Sequence, residues 1–195
     1  SFGGNSDCSI AISGGTLRID ASGDGIDSNG DLTVSGGEIY VSGPTSDSNS
    51  ALDHDGSATV TGGTVVAAGY SGMAQNFGTD STQGSILLTS RSTSTETIRV
   101  TDASGSVLAE FTPAKAYNCV IVSTPALKQG GTYTVTMGGE STDVTLDSLI
   151  YGRGGMGGGM GGQPGGNMGT PPDGNSGSMG TPPDGNSGKG SRPGQ

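Results

Sequence analysis

The sequence predicts an all-β molecule: a parallel β-helix with three strands per coil, then an antiparallel β cap or sandwich-like region, then a disordered Gly-rich tail. Three observations predict it. SGG at residues 13–15, SGG at 35–37 and TGG at 61–63 mark a repeat of 22 and then 26 residues. Self-similarity at that period is the signature of stacked units that bury their apolar side against one another. The apolar residues alternate with period two and nowhere take helical spacing. Composition agrees, with 40 glycines in 195 residues, 29% apolar and only 4% aromatic residues, too poor for a helical bundle.

Each copy carries three apolar beats. The first has Ile10-Ala11-Ile12, Leu17-Arg18-Ile19 and Ile26. The second has Leu32-Thr33-Val34, Ile39-Tyr40-Val41 and Leu52, and the third has Val60, Val65-Val66-Ala67 and Met73. Gly-Gly, Asp-Gly, Asn-Gly and Ser-Gly lie between the beats, where a corner demands positive φ. In this register Ile26 falls over Leu52, Asp27 over Asp53 and Asn29 over Asp55, so burying the first pair turns Asp27 and Asp53 outward. The third copy is degenerate, with Ala74 at the acidic position.

Chemistry enters at that outward edge. Neighbouring strands lie roughly 4.8 Å apart. Two bare carboxylates at that spacing repel by roughly 3 kcal/mol at an effective dielectric near 20, and by less when solvated. A Ca²⁺ ion, with oxygen bonds of roughly 2.4 Å, fits between them and reverses the sign. Asp24, Asn29, Asp31 and Asp55 supply further hard oxygen ligands, so the expected metal set is Asp24, Asp27, Asn29, Asp31, Asp53 and Asp55. Turns select Asp, Asn and Gly without any metal as well, and neither copy has the spacing of an EF-hand loop. His54 is expected to be a solvated turn residue, and two distant cysteines offer no zinc set. Arg18 and Tyr40, in register on successive strands, are the candidate carbohydrate contacts, by charge and by ring stacking.

The formal net charge is −10, and residues 1–84 carry ten acids against one base, Arg18. Such a face excludes nucleic acid, whose phosphates require Lys and Arg, and argues against anionic lipid. A polyanionic ligand therefore needs a divalent bridge. No apolar run approaches the length of a membrane span, and no signal peptide is visible. Two cysteines are too few for a disulfide framework.

Along the chain, residues 1–84 are expected to form β-helix coils and residues 85–150 an antiparallel capping region of short strands about ten residues apart. Residues 151–195 read as a disordered tail, with RGGMGGGMGG and the direct repeat MGTPPDGNSG but nothing to bury. Because a solenoid end requires capping, the chain is expected to be part of a longer protein with earlier coils.

The motifs SGGT, GDGIDSNGD, ALDHDG, TGGT, SGMAQ and FTPAKAYNCVIVSTPALKQGGTY occur in that order. Together they resemble the C-terminal part of a family of bacterial secreted carbohydrate-binding proteins, over roughly residues 5–150. The resemblance implies a pectate-lyase-like, right-handed parallel β-helix and non-catalytic, calcium-dependent binding of cellulose or acidic sugars outside the cell. It assigns no role to His54 or Cys119. Two other functions are open at this point. A polysaccharide lyase of this shape needs a basic residue beside the metal, and Arg18 is the only one before Arg91. An ice-binding or purely structural solenoid needs a flat ladder, of which Thr33 over Thr59 is a short beginning.

Overall fold

The computed structural model describes residues 8–152. The first part repeats a long strand and a short one: β1 (Ser9–Asp20), β2 (Ile26–Ser28), β3 (Asp31–Ser42), β4 (Leu52–His54) and β5 (Ala58–Gly69). The long strands pair in parallel at the two spacings of the repeat, with Ile10 beside Leu32, Leu17 beside Ile39, Val34 beside Val60 and Ile39 beside Val65. The short strands pair in parallel separately, Ile26 with Leu52 and Asp27 with Asp53.

The glycine pairs are not corners. Each lies inside a twelve-residue strand, where the register shifts. Gly15, Gly37 and Gly63 take φ of 79°, 95° and 82°, so the residue type demanded by a corner serves here to make a bulge. Their neighbours Gly36 and Gly62 are fixed by crowding. A Cβ on Gly36 would lie 2.5 Å from the Ser13 carbonyl oxygen, and one on Gly62 would lie 2.4 Å from that of Ser35.

The second part comprises β6 (Ser85–Ser94), β7 (Ile98–Asp102), β8 (Val107–Phe111), β9 (Tyr117–Ser123), β10 (Thr132–Met137), β11 (Glu140–Thr145) and β12 (Ile150–Tyr151). It does not form one separate sheet. β9 pairs antiparallel with both β5 and β6, giving a six-stranded mixed sheet in the order β1-β3-β5-β9-β6-β12. The remaining strands form a four-stranded antiparallel sheet, β11-β10-β7-β8.

The six-stranded sheet has apolar material on both faces. On one, Leu32, Val34, Ile39, Val41, Val65, Leu87 and Ile121 pack against Ile26 and Leu52 of the short strands. On the other, Val66, Ala68, Ile86, Val120 and Val122 pack against Ile98, Val100, Tyr133, Val135 and Val144 of the four-stranded sheet. Alternation along β5 and β9 feeds both layers, which is why these strands read as nearly continuous apolar runs. Complete burial of one such Val, Leu or Ile contributes about 1.5–3 kcal/mol.

The all-β class therefore stands, but the three-strand-per-coil, right-handed parallel β-helix expected from the sequence is corrected. Two of the three beats of each repeat fuse through the Gly-Gly bulge into one long strand. The parallel stack ends at β5, where β9 joins antiparallel. Residues 8–152 belong to one contiguous unit of the chain. The expected tail lies outside the described residues except for Tyr151 and Gly152, as does any structure for residues 1–7. Cys8 is exposed, Cys119 is buried, and both are free thiols. No helix among the described residues is long and apolar enough to cross a membrane.

Candidate functional site

The short-strand sheet builds the site. Ile26, Ser28 and Leu52 turn inward and are buried, so strand alternation turns Asp27 and Asp53 to the opposite side. Gly25 makes this close approach possible, since a Cβ there would meet the Ala51 carbonyl oxygen at 2.4 Å and Val41 Cγ1 at 2.5 Å. The sequence-predicted pair is thus in register, one strand spacing apart.

Asp53 feels its neighbours. Partial burial, followed by the negative charges of Asp24, Asp27 and Asp55, raises its pKa above the usual 3.8, with only His54 pulling the other way. Three of the other expected ligands, Asp24, Asp27 and Asp55, therefore act electrostatically on Asp53. Asp31 does not belong to that group. Its Oδ1 accepts the Ser57 backbone N–H at 2.8 Å and closes the turn after β4. Asp24 is partly committed too, because its Oδ1 accepts the Ser50 N–H at 2.6 Å. Asn29 is exposed between β2 and β3.

Gln75 was not among the sequence candidates. Its Nε2 donates to Asp53 Oδ1 at 3.2 Å, while its Oε1 accepts the His54 N–H at 3.1 Å. It extends the Asp27–Asp53 ladder by one step without adding a charge. The inward beat of the third copy falls on Ala74, which is buried, rather than on Met73. The signal was present: Gln75 lies 22 residues after Asp53, the first period of the repeat. His54 is also corrected, since it is half buried rather than solvated. Its Nδ1 lies 2.8 Å from the Gly56 carbonyl oxygen, and its Nε2 is enclosed without a hydrogen-bond partner.

Arg18 and Tyr40 meet each other instead of the acids. The guanidinium sits 4.6 Å from the centre of the Tyr40 ring, and the Phe111 ring is 5.3 Å from it at 40°. Tyr40 packs on the layer shared with the four-stranded sheet, whereas Ile26 and Leu52 pack on the opposite layer. Arg18 is therefore separated from the acid pair by the six-stranded sheet, and Tyr40 spends its ring on Arg18 and Phe111.

The donor set is all oxygen and suits a hard cation. Among the described residues no three acidic, histidine or cysteine side chains already converge as a metal cage. An ion at Asp27 and Asp53 would therefore complete its six to eight or so oxygens with water, Gln75 and a ligand. One concave surface, about 400 Å³, lies elsewhere, along Leu88, Arg91, Met137 and Glu140. On the acid edge Asp27 and Asp55 are exposed and Asp53 is partly so. No family model, curated protein or solved structure matches the chain.

Proposed function

We propose that the protein is a non-catalytic module that binds acidic polysaccharide, of the polygalacturonate kind, through calcium at the Asp27–Asp53 edge. One observation carries the reading: two carboxylates in register on paired strands, with Asp24 and Asp55 near enough to raise the pKa of Asp53. Burial is the larger cause of that rise, and the three neighbouring negative charges, which add to it, favour a divalent cation as well. With few protein ligands the ion keeps open positions, which the carboxylate oxygens of a uronate chain fill. Calcium affinity then belongs in the weak range of extracellular modules, about 10⁻⁴–10⁻³ M, in keeping with a secreted or cell-surface protein. Arg18 and Tyr40 have no part in this site.

The test is equilibrium binding to polygalacturonate, with calcium and with chelator. Binding that requires calcium, and that is lost in the Asp27→Asn/Asp53→Asn double variant with its unfolding midpoint retained, supports the reading. Equal binding in chelator removes the bridging ion, and equal binding by the double variant moves the site elsewhere.

A further inference from the structure

Asn29-Gly30 is the chain's single Asn-Gly pair, and it makes up the whole link between β2 and β3. Asn29 is exposed. An asparagine loses its amide when the backbone nitrogen of the following residue attacks the side-chain carbonyl carbon. Glycine in that following position hinders the attack least, because it has no Cβ and bends freely. The attacking nitrogen must also leave any hydrogen bond that it makes, so the bonding of that N–H ranks the sites.

The fold ties down this nitrogen at the other described asparagines. After Asn49, the Ser50 N–H donates to Asp24 Oδ1 at 2.6 Å. After Asn76, the Phe77 N–H donates to Asn76 Oδ1 at 2.9 Å, while Asn76 Nδ2 donates to the Tyr151 and Gly152 carbonyls, also at 2.9 Å. After Asn118, Cys119 is buried inside β9, which is paired on both sides. Asp24 and Asp55, which also precede glycines and can close the same ring, are restrained likewise. The Gly25 N–H donates to the Ser50 carbonyl and the Gly56 N–H to the Gly30 carbonyl, each at 2.9 Å. The Gly30 N–H has no partner among the described residues.

We propose that Asn29 is a self-modification site, converted to aspartate in the folded protein with water as the sole co-reactant. The Gly30 nitrogen gives up its proton and bonds to Asn29 Cγ, the Cγ–Nδ2 bond breaks, and Nδ2 leaves as ammonia. The product is a cyclic imide that spans both residues. Water then opens the ring at either of its carbonyl carbons. Attack at Cγ restores the backbone and leaves a carboxylate on position 29. Attack at the backbone carbonyl carbon instead reroutes the chain through Cγ as isoaspartate. Nothing is oxidised or reduced.

The frame selects between the products. Ser28 is buried, and its Oγ donates to the Asp31 carbonyl at 2.8 Å, bridging the link. The next rung packs closely on Gly30, since a Cβ on Gly56 would stand 2.8 Å from the Gly30 carbonyl carbon. Isoaspartate adds a backbone atom between these fixed points, so ordinary aspartate is the product that the fold accommodates. Asp27-Ser28-Asn29-Gly30 then carries acids at the same two positions as Asp53-His54-Asp55-Gly56. The edge gains a negative charge whether or not it holds an ion.

Ageing the folded full chain at mildly alkaline pH in water labelled with heavy oxygen, with peptide mapping by mass spectrometry, tests this. Loss of the amide with uptake of label is expected at Asn29 at least about tenfold faster than at Asn49, Asn76 or Asn118. Aspartate should form there in a larger proportion than in the same chain aged in urea, where the frame is gone. On ion exchange the aged parent should coelute with fresh Asn29→Asp. Asn29→Gln should keep its amide, because the larger ring closes slowly, with its unfolding midpoint showing that it folds. An Asn29 that keeps its amide in the folded chain, or loses it no faster than the other three asparagines, overturns the proposal. So does isoaspartate in equal proportion in the folded chain and in urea.

Discussion

Asp53 holds its charge against its surroundings, and that has a measurable sign. In the unfolded chain its carboxyl titrates at the ordinary value of 3.8, and in the folded protein it titrates higher. Between the two values the folded state binds more protons, so this group's contribution to stability falls as pH rises through the window just above 3.8. At neutral pH the penalty is fully present. Asp53→Asn should therefore stabilise the calcium-free protein at neutral pH, by less than about 1 kcal/mol because the site is largely solvated. It should lose most of any stabilisation that calcium gives the parent. Thermal unfolding at pH 4 and pH 7, with calcium and with chelator, measures both effects, and a variant that calcium stabilises as well as the parent removes Asp53 from the ion. The pairing of Asp27 with Asp53 was legible in the sequence because both sit one residue after an apolar position at the same repeat spacing. The engagement of Asp31 with Ser57 was not, because an acid at a turn closes the turn or holds an ion with the same residues around it.

At the scale of the element, the long bulged strands decide the architecture. Gly63 has φ 82°, and a Cβ there would stand 2.6 Å from the Gly37 carbonyl oxygen. Backbone conformation and crowding act together, so Gly63→Ala should cost more than about 2 kcal/mol in urea unfolding. Gly105→Ala, with φ 83° in a turn and open space around it, should cost less. Equal losses would show that conformation alone matters. Sequence reading placed these glycines at corners because positive φ is common to corners and bulges, and only the neighbouring backbone distinguishes them. The repeat period survived that error, since the spacing from strand to strand is the same either way. The antiparallel arrival of β9 at β5 had no such signal. Its partners Val65 to Gly69 lie some fifty residues earlier and share no motif with Cys119 to Ser123.

For the whole molecule, the two thiols report on different depths. Cys119 is enclosed with Leu87 and Ile121 in the layer under the short strands, and burial pushes its pKa up to about 12. Cys8 stands exposed just before β1. A thiol reagent near pH 8 should modify one cysteine per chain quickly and the second only as the protein unfolds, with two reacting at once in denaturant. Rapid modification of both in the native protein would mean that the layer opens without global unfolding. That layer joins residues from the repeat region to residues from β6 and β9, so the slow rate should follow urea in step with loss of the β signal.

The connections around the short strands vary in length while the ladders do not. Residues 21–25 link β1 to β2, and residues 43–51 link β3 to β4, a surplus of four that accounts for the whole difference between the two repeat periods. Growth of the chain has been taken up entirely at one rim, leaving every rung in place. That rim is consequently the natural port for foreign peptide: material spliced in beside Ser22 and Gly23, both open to solvent, would be displayed on the surface while the folded frame beneath keeps its alignment.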